Sequence, residues 1–208
     1  MCTRFNIDRA DYNPVLNEII EKSASTPLAH RFMEKLSKPL VTEGEVRPTD
    51  VAAVVAPDRH GKKAVFPMKW GFTLSGSRSP IINARCETAA VKPTFAESWK
   101  RHRCAIPASW YYEWEHIKKS DGKTVTGEKY ALQPAGCNTT WLCGLYRIEN
   151  NYPVFSVLTR EPSETLLRIH DRMPFILPEE HIEGWINPDG APEEYLQYAL
   201  TDIIAEKV

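Results

Sequence analysis

Six apolar stretches of strand length, separated by turn residues, fill the middle of the chain and constrain its fold more than any other feature. They read, in order, DVAAVVA, KAVFPMKWGFT, RCAIPASWYYEWE, EKYALQP, TTWLCGLYRI and YPVFSVLT. The turn PDRHGK joins the first two, and Glu149–Asn151 joins the last two as a predicted hairpin. Because strands joined by short turns pair antiparallel, the pattern predicts a mainly antiparallel sheet.

Helical periodicity marks the parts of the chain that flank these strands. The stretch YNPVLNEIIEKS aligns Val15, Leu16, Ile19 and Ile20 on one face. The next, PLAHRFMEKLSK, repeats the pattern with Leu28, Phe32, Met33 and Leu36. Further helices are predicted for PTFAESWK, capped by Thr94, and for SETLLRIH, PEEHIEGWI and PEEYLQYALTDIIAE. We therefore expect one α+β domain over residues 1–208, with a curled sheet or open barrel and peripheral helices.

Composition bounds the cellular setting. With 208 residues, of which 42% are hydrophobic and 25% charged, the chain can bury one sizeable core. The sequence has no apolar run long enough to span a membrane and no signal-peptide pattern at its start. Five cysteines, an odd number without zinc-type spacing, predict free thiols in a reducing cytoplasm. We expect no metal, no cofactor, no membrane partner and a monomeric protein.

Charge is distributed unevenly along the chain. Between Arg59 and Arg103 there are ten lysines or arginines and two acids, so this span carries +8 within a chain of net charge −1. Such a span is either an ordinary solvated surface or a basic face that binds phosphates. Trp70, Phe72 and Trp99 lie within it, and aromatic side chains among cations suit the stacking of unpaired bases.

Several short stretches carry residues suited to chemistry. In IINARCET, Asn83, Arg85 and Glu87 occupy alternate positions and would share one face of an extended segment. Glu113 lies between two aromatic residues, where burial would raise the pKa of its carboxyl group as a general acid requires. His170 occurs in IHDRMP, and Cys2 places a thiol at the start of the chain. Taken singly, Glu113 could instead face water on a half-buried strand, and His170 could be a helix-end histidine.

Together these stretches resemble the SOS-response-associated peptidase family, whose members sense abasic sites in DNA. The resemblance extends from the N-terminus to residue 174. It departs at Thr3, where glycine is common, and at Glu45–Pro48, where many members have Asn-Val-Ala-Pro. The matching residues are Cys2 with Arg4-Phe5, Trp70-Gly71, Asn83-Ala84-Arg85 with Glu87-Thr88, Ile106-Pro107-Ala108 leading to Tyr112-Glu113-Trp114, and Ile169-His170-Asp171-Arg172-Met173-Pro174.

The resemblance implies a covalent chemistry that explains the position of Cys2. Removal of Met1, by autoproteolysis or otherwise, would leave Cys2 with a free α-amine beside its thiol. The amine could form a Schiff base with the aldehyde of an opened abasic sugar. The thiolate would then close a thiazolidine ring and complete a DNA–protein crosslink. Abasic-site lyase activity could accompany this reaction.

The resemblance also implies roles for the other motif residues. Glu113 is similar to the acid/base that opens the sugar, His170 to its partner at the ring oxygen, and Asn83 to the residue that orients Cys2. The partner would be single-stranded DNA containing abasic sites, with the protein associated with the nucleoid when it is bound. The DNA-binding residues implied are Arg4, Trp70 and Arg85.

Two other functions remain open from the sequence. An N-terminal-nucleophile amidohydrolase or peptidase would also use a cysteine at the start of the mature chain, with its α-amine as the base. A passive DNA-binding module would need the basic span alone. The second alternative gives no role to Glu113 and His170.

Overall fold

The computed structural model of the chain describes residues 2–10, 13–119 and 121–208, so that Met1, Asp11, Tyr12 and Ser120 lie outside the described residues. The described chain contains strands and short helices in alternation, which we number in chain order. The strands are β1 (Arg4–Ile7), β2 (Gly44–Val46), β3 (Val51–Pro57), β4 (Lys63–Trp70), β5 (Asn83–Arg85), β6 (Arg103–Ala108), β7 (Trp110–Lys118), β8 (Thr124–Pro134), β9 (Thr140–Glu149), β10 (Tyr152–Arg160), β11 (Met173–Pro174) and β12 (Ile203–Lys207). The α-helices are α1 (Pro14–Ala24), α2 (Pro27–Leu36), α3 (Cys86–Ala89), α4 (Ala96–Arg101) and α5 (Ile182–Ile186).

The strands form two sheets, one of which closes on itself. The first sheet has the order β12-β8-β7-β1-β2, and all of its pairs are antiparallel. The second contains the ring β10-β4-β3-β6-β9, which closes because β9 also pairs with β10 as the predicted hairpin. Within the ring, the β4–β10 pair is parallel. The predicted α+β class with a mainly antiparallel sheet is confirmed, and the barrel is closed rather than open.

The core lies inside this ring and between it and the helices. All seven residues of β3 are buried, as expected of a strand covered on both faces. Helix α1 buries Leu16, Ile19 and Ile20, and the side chain of Asn13 accepts a hydrogen bond from the N–H of Leu16 at its start (3.1 Å). Both features confirm the predicted amphipathic helix.

Helix α2 forms where the sequence predicts it, but buries a different set of residues. Ala29 and Phe32 face the core, and the Phe32 ring packs against Tyr152 with ring centroids 4.8 Å apart. Met33 and Leu36 are 55% and 42% exposed. The predicted apolar face is therefore wrong at these two positions, because the helix touches the barrel along a narrow stripe only.

The stretch RCAIPASWYYEWE is divided between two sheets instead of forming one strand. Its first half is β6 of the ring, and its second half is β7 of the five-stranded sheet. The change occurs at Ser109, whose hydroxyl accepts a hydrogen bond from the N–H of Asp8 (2.8 Å). The carbonyl of Ser109 accepts a second bond from the Thr140 hydroxyl (2.9 Å). This crossing brings β7, and with it Glu113, beside the N-terminal strand.

Other local predictions are corrected by the structure. Helix α4 begins at Ala96 without a side-chain cap, so Thr94 is not its cap. Residues 164–169 form turns instead of a helix. The predicted C-terminal helix is a 3-10 helix over Pro192–Tyr198 followed by strand β12, which pairs antiparallel with β8. The unpaired edge of β8 offers backbone hydrogen bonds that override the helical pattern of this segment. Within the described ranges, no helix combines the length and the apolar character that crossing a membrane requires.

Candidate active site beside the N-terminal strand

The N-terminal strand lies inside a sheet instead of fraying at its edge. Strand β1 pairs with β2 on one side and with β7 on the other, with Arg4 opposite Tyr112. Cys2, immediately before this strand, is fully buried, and its thiol donates to the carbonyl of Arg4 (3.8 Å). The Asn83 Nδ2 atom donates to the carbonyl of Cys2 (2.9 Å). The start of the chain is thus fixed by packing and by a side-chain hydrogen bond.

The Cys2 thiol is held in its protonated form. Burial raises the pKa of the Cys2 thiol well above its usual range, and the nearby Glu113 carboxylate raises it further. At neutral pH the group is therefore a thiol and not a thiolate. Any reaction at this sulfur therefore requires a base to take its proton.

Glu113 is a buried carboxyl group beside Cys2. Strand β7 turns Glu113 inwards, and the residue is 5% exposed. Burial raises the pKa of its carboxyl group, as the flanking aromatic residues predict. The alternative of a water-facing carboxylate is wrong for this position.

His170 completes a close pair with Glu113. Its Nε2 atom lies 3.9 Å from Oε1 of Glu113, and the residue is 6% exposed. Its Nδ1 atom lies 3.0 Å from the N–H of Arg172, which donates to it, and 2.9 Å from Oδ1 of Asp171. Nδ1 cannot both accept a hydrogen bond from the N–H of Arg172 and donate one to the carboxylate of Asp171. Burial lowers the pKa of His170 to about 4, so we assign a neutral ring with its proton on Nε2, towards Glu113.

These groups adjoin an open cavity of about 610 Å³. Four predicted site residues line it, whereas Cys2 lies fully buried and Asn83 half-buried behind its wall. The structure thus brings the predicted residues other than Trp70 together, from the N-terminal segment with β1, from β5 and β7, and from the loop before β11. The cavity is lined by Thr3, Arg4, Arg85, Glu113, Trp114, His116, Thr126, His170, Asp171 and Arg172.

Three arginines surround the cavity. The DNA contacts predicted from the sequence include Arg4 and Arg85 but not Arg172. Arg4 contacts the carboxylate of Glu45 (2.6 Å), and Arg85 is exposed at the end of β5. Arg172 binds both carboxylate oxygens of Glu87 (2.8 and 2.9 Å). Its position two residues after His170 was the available signal, because an extended segment places alternate residues together.

Trp70 does not reach the cavity, so the prediction that it stacks on DNA is wrong. Its side chain is fully buried, and its ring stacks on Phe155 with centroids 5.9 Å apart and an angle of 9° between the planes. Its indole N–H donates to the carbonyl of Ile82 (2.9 Å). Trp114 is the tryptophan that lines the cavity.

The basic span from Arg59 to Arg103 does not form one face. Arg85 lines the cavity, but Arg103 is fully buried and donates to backbone carbonyls that include those of Trp99 and Trp185. The aromatic residues of this span are core residues too, since Phe72 is fully buried and Trp99 is 4% exposed. Positive charge at the cavity therefore comes from three separate segments instead of one.

A possible metal-binding set adjoins the same cavity. Donor atoms of His116, His170 and Asp171 all lie within 4.8 Å of one another. Two imidazoles and a carboxylate are a donor set that zinc and other transition metals accept. Cysteine spacing in the sequence gives no sign of this set, because no local pattern joins His116 to His170 across the fold.

The fold and the site define a mixed α/β protein built around a buried, N-terminal Cys2 with an acid/histidine pair. The profile of the SOS response associated peptidase (SRAP) family matches residues 1–208. The chain therefore belongs to this family.

Named relatives agree with this membership. The chain is 38% identical to the abasic site processing protein YoaM of Bacillus subtilis over 125 residues, which cover 58% of this chain and 53% of that protein. It thus spans about half the length of the Bacillus relatives that it matches. It is 25% identical to the abasic site processing protein YedK of Escherichia coli, over 98% of this chain and 87% of that protein.

The fold also matches two crystal structures over the whole chain. The first is a protein from Bacteroides thetaiotaomicron with a TM-score of 0.72, 19% identity and coverage of 92% of that chain. The second is a phage-related protein from Bordetella bronchiseptica with a TM-score of 0.68, 20% identity and coverage of 94% of that chain. At these identities the likeness concerns the fold alone.

Proposed function

We propose that this protein, acting as one domain over residues 1–208, captures abasic sites in single-stranded DNA as a covalent crosslink through Cys2. The observation that carries the proposal is the position of Cys2, buried and fixed by Asn83 beside Glu113. Most chains leave their first residues poorly ordered, and a passive binding module would have no need to bury Cys2 in this way. The names of its relatives as abasic site processing proteins support the same substrate.

The reaction begins with the α-amine that Met1 removal exposes. This amine attacks the aldehyde carbon of the opened abasic sugar, and loss of water gives a Schiff base. The thiol of Cys2 then adds to the imine carbon, while its proton goes by way of a base to the nitrogen. The product is a thiazolidine ring, and the only atoms lost overall are those of one water molecule.

Glu113 and His170 supply the proton transfers in this sequence. Protonated Glu113, whose pKa is raised by burial, donates to the departing hydroxyl group during Schiff-base formation. The carboxylate left behind then takes the proton of the Cys2 thiol, which burial keeps protonated. Neutral His170 donates a hydrogen bond through Nε2 to the ring oxygen as the sugar opens. The proton that this oxygen gains comes from Glu113, whose carboxylate then takes the proton of the hydroxyl group on the same sugar carbon.

Asn83 and the arginines position the two reactants. The amide of Asn83 donates to the Cys2 carbonyl, and its Oδ1 atom is buried without a hydrogen-bond partner among the described residues. This oxygen is suited to accept from the newly exposed amine or from a sugar hydroxyl. Arg4 and Arg85 on the cavity wall bind the phosphates that flank the lesion.

The decisive experiment incubates the protein with abasic and intact single strands of the same sequence. We expect a denaturation-resistant adduct with the abasic strand only, and a mass equal to protein without Met1 plus DNA minus one water. Cys2→Ala should abolish the stable adduct, although its amine can still form an imine that borohydride traps. Cys137→Ala is the matched control, because Cys137 is a half-exposed thiol elsewhere on the surface. An equally stable adduct with Cys2→Ala would overturn the proposal.

The same experiment tests the amidohydrolase alternative. That enzyme would hydrolyse an amide and would form no adduct specific to abasic DNA. In that enzyme the α-amine of Cys2 would serve as the base that takes the thiol proton, whereas in the proposed reaction the amine is the first nucleophile. The reducible imine expected of Cys2→Ala with abasic DNA therefore distinguishes the two.

A further inference from the structure

The outer face of the five-stranded sheet carries a group of charged and aromatic side chains outside the cavity. Along β7, Tyr111 and Glu113 point inwards, so Trp110, Tyr112 and Trp114 occupy the opposite face. Lys129 of β8 lies opposite Trp114 in the register. We define the outer-face surface as the following residues: Glu45, Arg47, Trp110, Tyr112 and Lys129.

The positive charges of this surface converge on one carboxylate. Glu45 accepts hydrogen bonds from Arg4 (2.6 Å), Arg47 (2.7 Å) and Lys129 (3.3 Å). Burial opposes its ionisation, but these hydrogen bonds lower the pKa of Glu45 overall. Three cations around one carboxylate leave a net charge of +2. The group therefore has positive charge in excess and attracts an anion.

The same cations lie over aromatic rings. The Lys129 amine is 3.7 Å from the centroid of the Tyr112 ring, and the Arg4 guanidinium is 5.3 Å from that of Trp114. Trp110 contacts Tyr112 edge to face, with ring centroids 6.4 Å apart. Rings interleaved with cations are the combination that binds unpaired nucleotides, since bases stack on the rings while phosphates contact the cations.

This surface is continuous with the candidate active site. Arg4 and Trp114 line the main cavity and also contact Glu45 and Lys129 of the outer face. On the far side, Trp110 and Tyr112 line a second cavity of about 270 Å³ with Gln133, Ile204 and Glu206. A strand that leaves the main cavity over Trp114 thus meets the cations first and the Tyr112–Trp110 pair next.

We propose that the outer-face surface binds the part of the single-stranded DNA that extends beyond the cavity. Arg47 and Lys129 bind its phosphates, and Tyr112 and Trp110 stack against its bases. Glu45 competes with phosphate for the two cations and so limits the affinity for DNA without a lesion. This inference rests on the proposed function, because it extends the path of the same strand.

The test measures non-covalent binding of an intact single strand by fluorescence anisotropy over a series of salt concentrations. Each lost phosphate contact should reduce the slope of log affinity against log salt by about 0.7. We expect this reduction for Arg47→Ala and for Lys129→Ala. Glu45→Gln should strengthen binding and steepen the slope. Without the carboxylate, Arg47 and Lys129 are free to pair with phosphates, and each new pair releases counterions from the DNA.

The sheet supplies matched controls for the change in charge. Lys207 and Glu128 form an ion pair (3.0 Å) on the same sheet, with side chains 61% and 53% exposed. Lys207→Ala and Glu128→Gln change the net charge as the test variants do, but they should leave the slope unaltered. If Glu128→Gln strengthens binding as much as Glu45→Gln, the effect is one of total charge and the proposal is wrong.

Stacking requires a separate pair of variants. Tyr112→Leu should weaken binding about five-fold or more at unchanged salt slope, and Tyr112→Phe should keep the affinity of the wild type. If Tyr112→Leu binds as the wild type does, the stacking role is wrong. Thermal unfolding of every variant separates loss of binding from loss of fold.

The outcomes for the two proposals can be told apart. If the wild type forms no adduct with the abasic strand, the proposed function fails whatever these variants do. If the wild type forms the adduct but substitutions at Glu45, Arg47 and Lys129 leave binding and its slope unchanged, the outer-face surface alone is wrong.

Discussion

Nε2 of His170 lies 3.9 Å from Oε1 of Glu113, and both side chains are more than nine-tenths buried. Burial acts on the two groups in opposite directions, raising the pKa of Glu113 and lowering that of His170 to about 4. Both shifts favour the uncharged forms. Each group is therefore easier to hold in its uncharged form here than in water, which suits the pair to exchange protons with a substrate.

We predict that Glu113→Gln slows the crosslinking step about 100-fold or more and removes the alkaline limb of its pH profile. In the wild type, the reaction needs a neutral Cys2 amine and a protonated Glu113. These two needs give a bell-shaped profile whose limbs belong to the coupled set. Single-turnover rates across pH measure both effects.

Glu115→Gln, on the same strand but outside the cavity lining, is the control and should keep the rate. A Glu113→Gln variant with the wild-type rate and both limbs would contradict the assignment.

His170 makes stability depend on pH in a defined window. Its folded-state pKa of about 4 lies below the usual 6.5, so the unfolded chain binds more protons between these values. The free energy of unfolding should therefore be undiminished above about pH 6.5 and fall as pH drops towards 4, by about 1–3 kcal/mol. Urea unfolding at a series of pH values measures this slope. His170→Asn should flatten it, and a variant that keeps the full slope would show that another group is responsible.

Arg85→Ala should weaken binding of single-stranded DNA and lower its salt slope by about 0.7, as loss of one phosphate contact requires. Arg85 lines the cavity and is exposed, so the substitution leaves the fold intact. Arg101→Ala removes an exposed cation of the same basic span that does not line the cavity. Equal losses for both variants in a salt titration would mean that the basic span binds diffusely.

Arg103→Met should destabilise the fold by about 3 kcal/mol or more. The Arg103 guanidinium is fully buried and donates to the carbonyls of Trp185 (2.7 Å), Trp99 (2.9 Å) and Lys100 (2.7 Å), so its loss leaves several acceptors unsatisfied. Urea unfolding provides the measurement. Arg101→Met, two residues away and exposed, should cost less than about 0.5 kcal/mol. Similar costs for both would mean that the buried hydrogen bonds contribute little.

Much of the fold follows from local pattern, because strands such as β3 and the β9–β10 hairpin are set by their own residues and turns. The crossing at Ser109 could not be predicted in the same way. Its hydrogen bonds come from Asp8 and Thr140, which are remote in sequence. The nearby Pro107 lies within β6 and does not itself mark the change of sheet. The C-terminal strand depends likewise on the free edge of β8, which exists only in the folded sheet.

The site was predicted best where chemistry and spacing coincide. Glu113 follows from an acid in an aromatic run, and its burial confirms that signal. The prediction that Trp70 stacks on DNA was wrong, because an aromatic residue near cations in the sequence is equally suited to a hydrophobic core. Only its packing against Phe155 shows that Trp70 is a core residue. Arg47 is a local partner of Glu45, but Arg4 and Lys129 reach this carboxylate from β1 and β8, and that convergence leaves no local trace in the sequence.

The interior position of β1 sets an order of events during synthesis. Strand β1 cannot complete its pairing until β7 has been made, because Arg4 pairs with Tyr112. The proposed function requires the removal of Met1, and Cys2 is accessible to a processing aminopeptidase until that pairing forms. Once β7 is in place, folding seals the thiol against oxidants. Under the proposed function, a chain that keeps Met1 or carries an N-terminal affinity tag would form no crosslink, which makes C-terminal tagging the practical choice for this chain.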